Sequence, residues 1–97
     1  MEEAARFEWD ETKKHGNERK HGVSFKEAKS VFYDDAARLI YDPDHSDDED
    51  RFILMGMSST ARVLVVCHCY KENENVIRII SARRATRKEQ KQYESRR

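Results

Sequence analysis

The stretch RVLVVCHCY, residues 62–70, is apolar on both parities: Leu64 and Val66 on one, Val63, Val65 and Cys67 on the other. Side chains along a strand alternate between faces, so this pattern marks a central strand. Two further apolar runs flank it, RFILMGMSS at 51–59 and VIRIISAR at 76–83. The connections between them, STA and KENEN, are short enough to favour antiparallel hairpins. Upstream, ARLIYD at 37–42 reads as another strand, ended by Pro43, and ARFEW at 5–9 as a short first one. A chain with this centre has to build a sheet and cover it.

The covering helices announce themselves by their caps. Asp10 opens a very polar stretch, ETKKHGNERKH, that Gly22 closes. Lys13, Asn17 and Lys20 share a face of it, and Lys20 and His21 stand in the last turn, where cations suit the helix dipole. Ser24 and Glu27 form an S-x-x-E capping box, with Val23 placed to staple onto Ala28. Phe25, Ala28, Val31 and Phe32 then make an apolar stripe. Thr86 and Glu89 form a second such box, opening a helix to about Ser95. That helix is almost wholly polar beyond Ala85 and Tyr93, the pattern of an element completed by a partner or frayed. The expected order is β-α-α-β-β-β-β-α: a single α+β domain over residues 1–97, with a mainly antiparallel sheet and helices on one face.

Ninety-seven residues allow one modest core, and with 39% charged residues its surface is crowded with charge. The formal net charge of zero conceals a split. Residues 1–50 hold eight Lys/Arg against fifteen Asp/Glu; residues 51–97 hold eleven against four. VIRIISARRATRKE, at 76–89, alone carries five basic residues and one acidic. Either the halves neutralise each other or a basic face is left for a polyanion. No apolar run approaches membrane-spanning length and the acidic N-terminus is no secretory signal, so a soluble cytoplasmic protein is expected. Cys67 and Cys69, two apart on a strand, cannot pair with each other, and no further ligands stand at zinc spacing. They are expected to be reduced core thiols, with neither metal nor cofactor bound.

The strings FEWDETK, NERKHGVSF, AKSVF, DPDHSDDEDRF, GMSS and IRIISARRATRKEQKQYE together resemble the BrnT family, toxins of type II toxin–antitoxin pairs. The resemblance covers essentially the whole chain. It implies a RelE-like ribonuclease fold, inhibition of translation by RNA cleavage, and neutralisation by a BrnA-type antitoxin. It further implies a ribbon–helix–helix antitoxin dimer, a two-plus-two complex, and promoter DNA bound through the antitoxin.

RNA can be cut without metal when the 2′-OH attacks the neighbouring phosphorus, given a base, an acid and cations around the phosphorane. Guanidinium suits the last task. Arg83 and Arg62 are the catalytic candidates, since both match the family's motif, and an antiparallel pairing could bring them together. Arg78 and Arg83 have opposite parity unless the strand ends or bulges near Ala82. His45 and Glu49, in HSDDE, are candidate proton-transfer groups, although Glu49 also reads as the end of a capping box with Ser46. Lys20, His21, Arg78 and Arg84 are candidate RNA contacts; Arg87, Lys91 and Tyr93 are candidate antitoxin contacts. Two other readings compete: a non-catalytic nucleic-acid-binding module using the basic 78–91 region, and a protein-interaction module whose basic helix binds an acidic partner.

Overall fold

The computed structural model describes residues 6–42 and 49–95. The elements follow the expected order: β1 (Arg6–Glu8), α1 (Glu11–His21), α2 (Phe25–Ser30) with a 3-10 turn at Val31–Tyr33, β2 (Arg38–Asp42), β3 (Arg51–Met57), β4 (Val63–Lys71), β5 (Val76–Arg84) and α3 (Arg87–Ser95). The sheet order is β1-β5-β4-β3-β2. The four later strands form an antiparallel meander, and β4 is central as its double-sided apolar pattern requires. β1 joins the far edge in parallel with β5, pairing Arg6, Phe7 and Glu8 with Val76, Ile77 and Arg78.

The caps act as their sequences indicate. Asp10 accepts a hydrogen bond from the Lys13 amide, and Gly22, at φ 68°, supplies the left-handed turn that ends α1. Ser24 Oγ accepts from the Glu27 amide at 3.0 Å. Thr86 and Glu89 form a complete box, with bonds of 3.1 and 2.8 Å in the two directions.

One expectation is corrected: the helices do not lie on one face. Leu54, Leu64, Val66, Ile79 and Ala82 pack under α1 and α2 with Val23, Phe25, Ala28 and Val31. Met55, Val63 and Val65, the alternate residues, pack instead with Tyr93 of α3. The core is therefore two cores on opposite faces, and Val63 and Val65 do not join the Phe25/Ala28 stripe. Tyr93 is the reason: it is 2% exposed, and its hydroxyl donates to Asp34 at 2.5 Å. One aromatic anchor suffices to carry an otherwise polar helix across the sheet edge, which a search for stripes overlooks. α3 covers only that end of its face.

Gly56 marks the tightest approach in the sheet. A Cβ there would meet Ala37 Cβ at 2.8 Å and Asp34 Oδ2 and Val31 Cγ1 at 3.0 Å, so β3 can pass under the 31–37 segment only as glycine. Among the described residues no helix is long and apolar enough to cross a membrane.

Candidate active site

The open part of the second face holds the chain's chemistry, and a bulge in β5 decides which side chains reach it. Cys67 pairs with Ser81 but His68 pairs with Ile79, so Ile80 is an extra residue. Past the bulge the alternation flips. Arg78, opposite Cys69, and Arg83, opposite Val65, consequently share one face. The condition under which these two arginines could do so is met, two residues from Ala82.

A cleft of about 320 Å³ lies on this face, lined by Arg83, Ser81, Cys67, Arg51, Asp42 and His21 among others. His21 reaches it from α1 because of Asn17, one turn earlier. β1 pairs only with the start of β5, and α1 lies against the remainder. There the Asn17 carboxamide donates to Ala82 O at 2.8 Å and accepts from Ala82 N at 3.0 Å. It also donates to Val23 O at 2.9 Å. The side chain replaces a missing strand, and the last turn of α1 is fixed beside Arg83.

Arg83 is held in place by Glu89. Its Nη1 and Nη2 donate to the two carboxylate oxygens at 2.8 and 2.9 Å, and the Arg83 guanidinium holds the Glu89 carboxyl down at about 2. A third contact runs from Nη1 to Arg84 O at 3.3 Å. A guanidinium has five N–H donors, so the clamp orients it with donors to spare for a phosphate. Burial pushes the Cys67 thiol up, with Arg51 nearby opposing. The thiol is neutral at physiological pH and no nucleophile. Cys67 lines the cleft rather than the core, whereas Cys69 is buried.

Arg62 is not part of this constellation. It shares β4 parity with Leu64 and Val66, on the α2 side. Its guanidinium grips Glu27, with Nε at 3.0 Å and Nη2 on the other oxygen. Ser58 and Thr60 hydroxyls donate to the same carboxylate at 2.6 Å each. The group is held at about 2 by Arg62, against the desolvation that opposes it. The expectation that Arg62 and Arg83 lie together is corrected: they stand at one end of the sheet but on opposite faces.

Glu49 pairs with Lys71 at 2.7 Å. From Val65, opposite Arg83, to Lys71 is six residues, about 20 Å along the strand. Arg78 pairs with Glu8 at 3.3 Å. Lys20 and Arg84 are exposed and neither lines the cleft; Arg84 stands opposite Leu64, the register position of the α2 side. His45 lies outside the described residues. Arg87 and Lys91, with Lys88, Gln92 and Ser95, line an open groove on the outside of α3, whereas Tyr93 beneath them is buried. Part of the charge split is neutralised within the fold, Glu8, Glu27 and Glu49 pairing with second-half cations, while Arg87, Lys88 and Lys91 stand together on the outside of α3. Arg51, Asp42, Ser81 and Asn17 were not legible as site residues. Each looks like ordinary strand or helix polarity until the register sets them together.

Fold and site together define an α+β domain with an arginine-lined cleft on an open sheet face. The family model described as "Ribonuclease toxin, BrnT, of type II toxin-antitoxin system" matches residues 9–89, and the chain belongs to that family. Its fold is similar to the 1.1 Å crystal structure of the Brucella abortus ribonuclease toxin BrnT. The TM-score is 0.65 at 22% identity, covering 87% of this chain and all of that one. A comparison with curated protein sequences gives no significant match.

Proposed function

We infer that the protein is a metal-independent endoribonuclease whose site is the open-face cleft, and that it inhibits translation by cleaving RNA. The observation that carries this is the convergence of His21, Arg51 and Arg83 on one cleft within a ribonuclease toxin family. The 2′-oxygen of a nucleotide bonds to the adjacent phosphorus while the bond from phosphorus to the 5′-oxygen breaks. The 2′-OH proton passes to a base, and the leaving 5′-oxygen takes a proton from an acid. The products are a 2′,3′-cyclic phosphate and a 5′-OH end. Arg83, oriented by Glu89, and Arg51 supply positive charge to the phosphorane, which gains charge on the oxygens they reach. His21 is the imidazole positioned to exchange a proton with the substrate. The Arg62–Glu27 pair ties β4 to α2 and holds the scaffold.

The cations of the chain itself fill the role a metal would otherwise have. A BrnA-type ribbon–helix–helix antitoxin is the partner, in a two-plus-two complex that binds promoter DNA through the antitoxin. The basic groove of Arg87, Lys88 and Lys91 is the surface it engages, a fit for an acidic segment. Such a protein acts in the cytoplasm.

The test is to incubate the purified protein with RNA in chelator and examine the product ends. 2′,3′-cyclic phosphate ends are expected, with the rate unchanged by chelator. Activity restored only by added metal, or 3′-OH ends, would contradict the mechanism. Tight RNA binding without any cleavage would favour the binding-module reading.

A further inference from the structure

β2 ends the sheet, and its outer edge carries no other strand among the described residues. Three of its five residues are exposed apolar side chains: Leu39 at 52%, Ile40 at 43% and Tyr41 at 47%. An open apolar edge of this kind recruits another strand unless it is blunted by charge, proline or a bulge. Here the charges sit only at the two ends, Arg38 and Asp42.

That placement makes the strand complementary to itself. In an antiparallel pairing of two RLIYD segments centred on Ile40, Arg38 of each copy faces Asp42 of the other. Leu39 faces Tyr41, and Ile40 faces Ile40. The β2–β3 register assigns these pairs to faces. Leu39 and Tyr41 lie opposite Leu54 and Phe52 on the α2 side, while Arg38, Ile40 and Asp42 lie opposite Met55, Ile53 and Arg51 on the cleft side. One face of the junction would thus be an apolar cluster, and the other a central isoleucine pair flanked by two ion pairs. A shift of one residue would set Asp42 against Leu39 and flip the faces, so the register is specified. We propose that β2 is a self-association edge, through which two copies of this chain pair β2 to β2 about a two-fold axis into a continuous ten-stranded sheet.

The axis of an antiparallel edge pairing stands perpendicular to the sheet, so the two clefts open on the same side. Asp42 lines the cleft, and the second copy's Arg38 comes to that rim, adding a cation to each site. The proposal does not depend on the ribonuclease reading, because the edge and its charges exist whatever the cleft does. One strand pair is a small interface, below the size of tight complexes, and the association is weak and concentration-dependent.

The test is sedimentation velocity of the full-length chain, without antitoxin, over a series reaching millimolar concentration, with a thermal melt of every variant. The wild type is expected to shift from monomer to dimer. Ile40→Lys should abolish the shift. Arg38→Glu and Asp42→Arg should each weaken association about tenfold or more by facing like charges, whereas an equimolar mixture of the two should form the heterodimer, since both cross pairs then become opposite in sign. The mixture controls for misfolding, because a damaged variant would not regain a partner. A wild type that stays monomeric throughout overturns the proposal, as does a dimer indifferent to these substitutions. An edge that pairs only with a strand of added antitoxin overturns it too.

Discussion

The two faces of the sheet are built from the same strands and differ in what is left uncovered. Under α1 and α2, β4 presents Leu64, Val66 and His68, all fully buried. His68 packs against Phe32, Tyr70 and Phe52 at 4.8, 5.2 and 6.2 Å. A neutral ring with its proton on Nδ1 satisfies both of its neighbours, donating to Val66 O at 3.3 Å and accepting from the Tyr70 hydroxyl at 3.2 Å. The other face presents Val63 and Val65 beneath Tyr93, then a thiol and charged groups toward solvent. One face is closed by packing and the other by a single anchor, and the cleft exists because α3 stops short. Arginines on the two sides differ accordingly. Arg62 belongs to a four-donor shell around Glu27 on the face away from the cleft, with a further contact to Gly22 O at 3.3 Å, while Arg83 is oriented by one carboxylate beside an open cleft.

Arg83→Ala should slow RNA cleavage by about 10²–10³-fold, the range for loss of one donor to developing charge. Arg83→Lys should recover only part, because a point charge cannot bond bidentately. Arg62→Ala should instead leave kcat near wild type and lower stability by about 1–3 kcal/mol, since it strips Glu27 of its charged partner. Cleavage rates beside melts of both variants decide it. If both lose activity alike at unchanged Tm, the two faces are not functionally distinct.

Asn17→Ala should also act on the cleft side, through position. It leaves both backbone groups of Ala82 without their partner, at about 1–3 kcal/mol for each group left unsatisfied. The last turn of α1 should loosen with them. Reduced kcat with little change in RNA affinity is expected once stability is corrected for, and protection of the Ala82 amide from hydrogen exchange should fall. Fast exchange at Ala82 in the wild type would contradict the clamp.

The closed face has its own pH signature. Burial holds His68 below its ordinary value of 6.5. The unfolded chain therefore binds more protons than the folded one as pH falls below 6.5, and stability declines with acid, by at most about 1.4 kcal/mol per pH unit for one group. Glu27 and Glu89 are held at about 2 against an ordinary 4.5. Their contributions are present above 4.5 and are lost as pH falls through about 2. Melts of the wild type and His68→Phe should differ in slope between pH 6.5 and 5 and converge in slope above it. Parallel curves throughout would remove His68 as the cause.

The elements were legible because each carries a local signal: double-sided apolarity for β4, capping residues for the helices, short polar connections for the hairpins. The two-sided packing was not, because it depends on one aromatic residue of α3, Tyr93, and on Asp34, which accepts from its hydroxyl, and the Asp34 carboxylate also accepts from the Met57 and Ala36 amides at 2.7 and 2.9 Å. Of the site, Arg83 and His21 were legible as members of a basic corner and a helix end. Arg51, Asp42 and Ser81 were not, because register rather than residue type assembles them. Arg62 carries the same charge as Arg83, and only its parity separates the two. The bulge at Ile80 could be posed from the sequence as a condition on Arg78 and Arg83, but nothing local to it required it.

Where RNA lies on the two faces can be measured by titration. A short oligonucleotide with 2′-deoxyribose at the scissile position binds without being cut, and it can be titrated into the ¹⁵N-labelled protein. Amide shifts are expected at His21, Arg51, Cys67, Ser81 and Arg83, with Phe25, Ala28 and Val31 unmoved. Shifts centred on Glu27, Ser58 and Arg62, with the cleft silent, would place the RNA on the other face and contradict the cleft as its site.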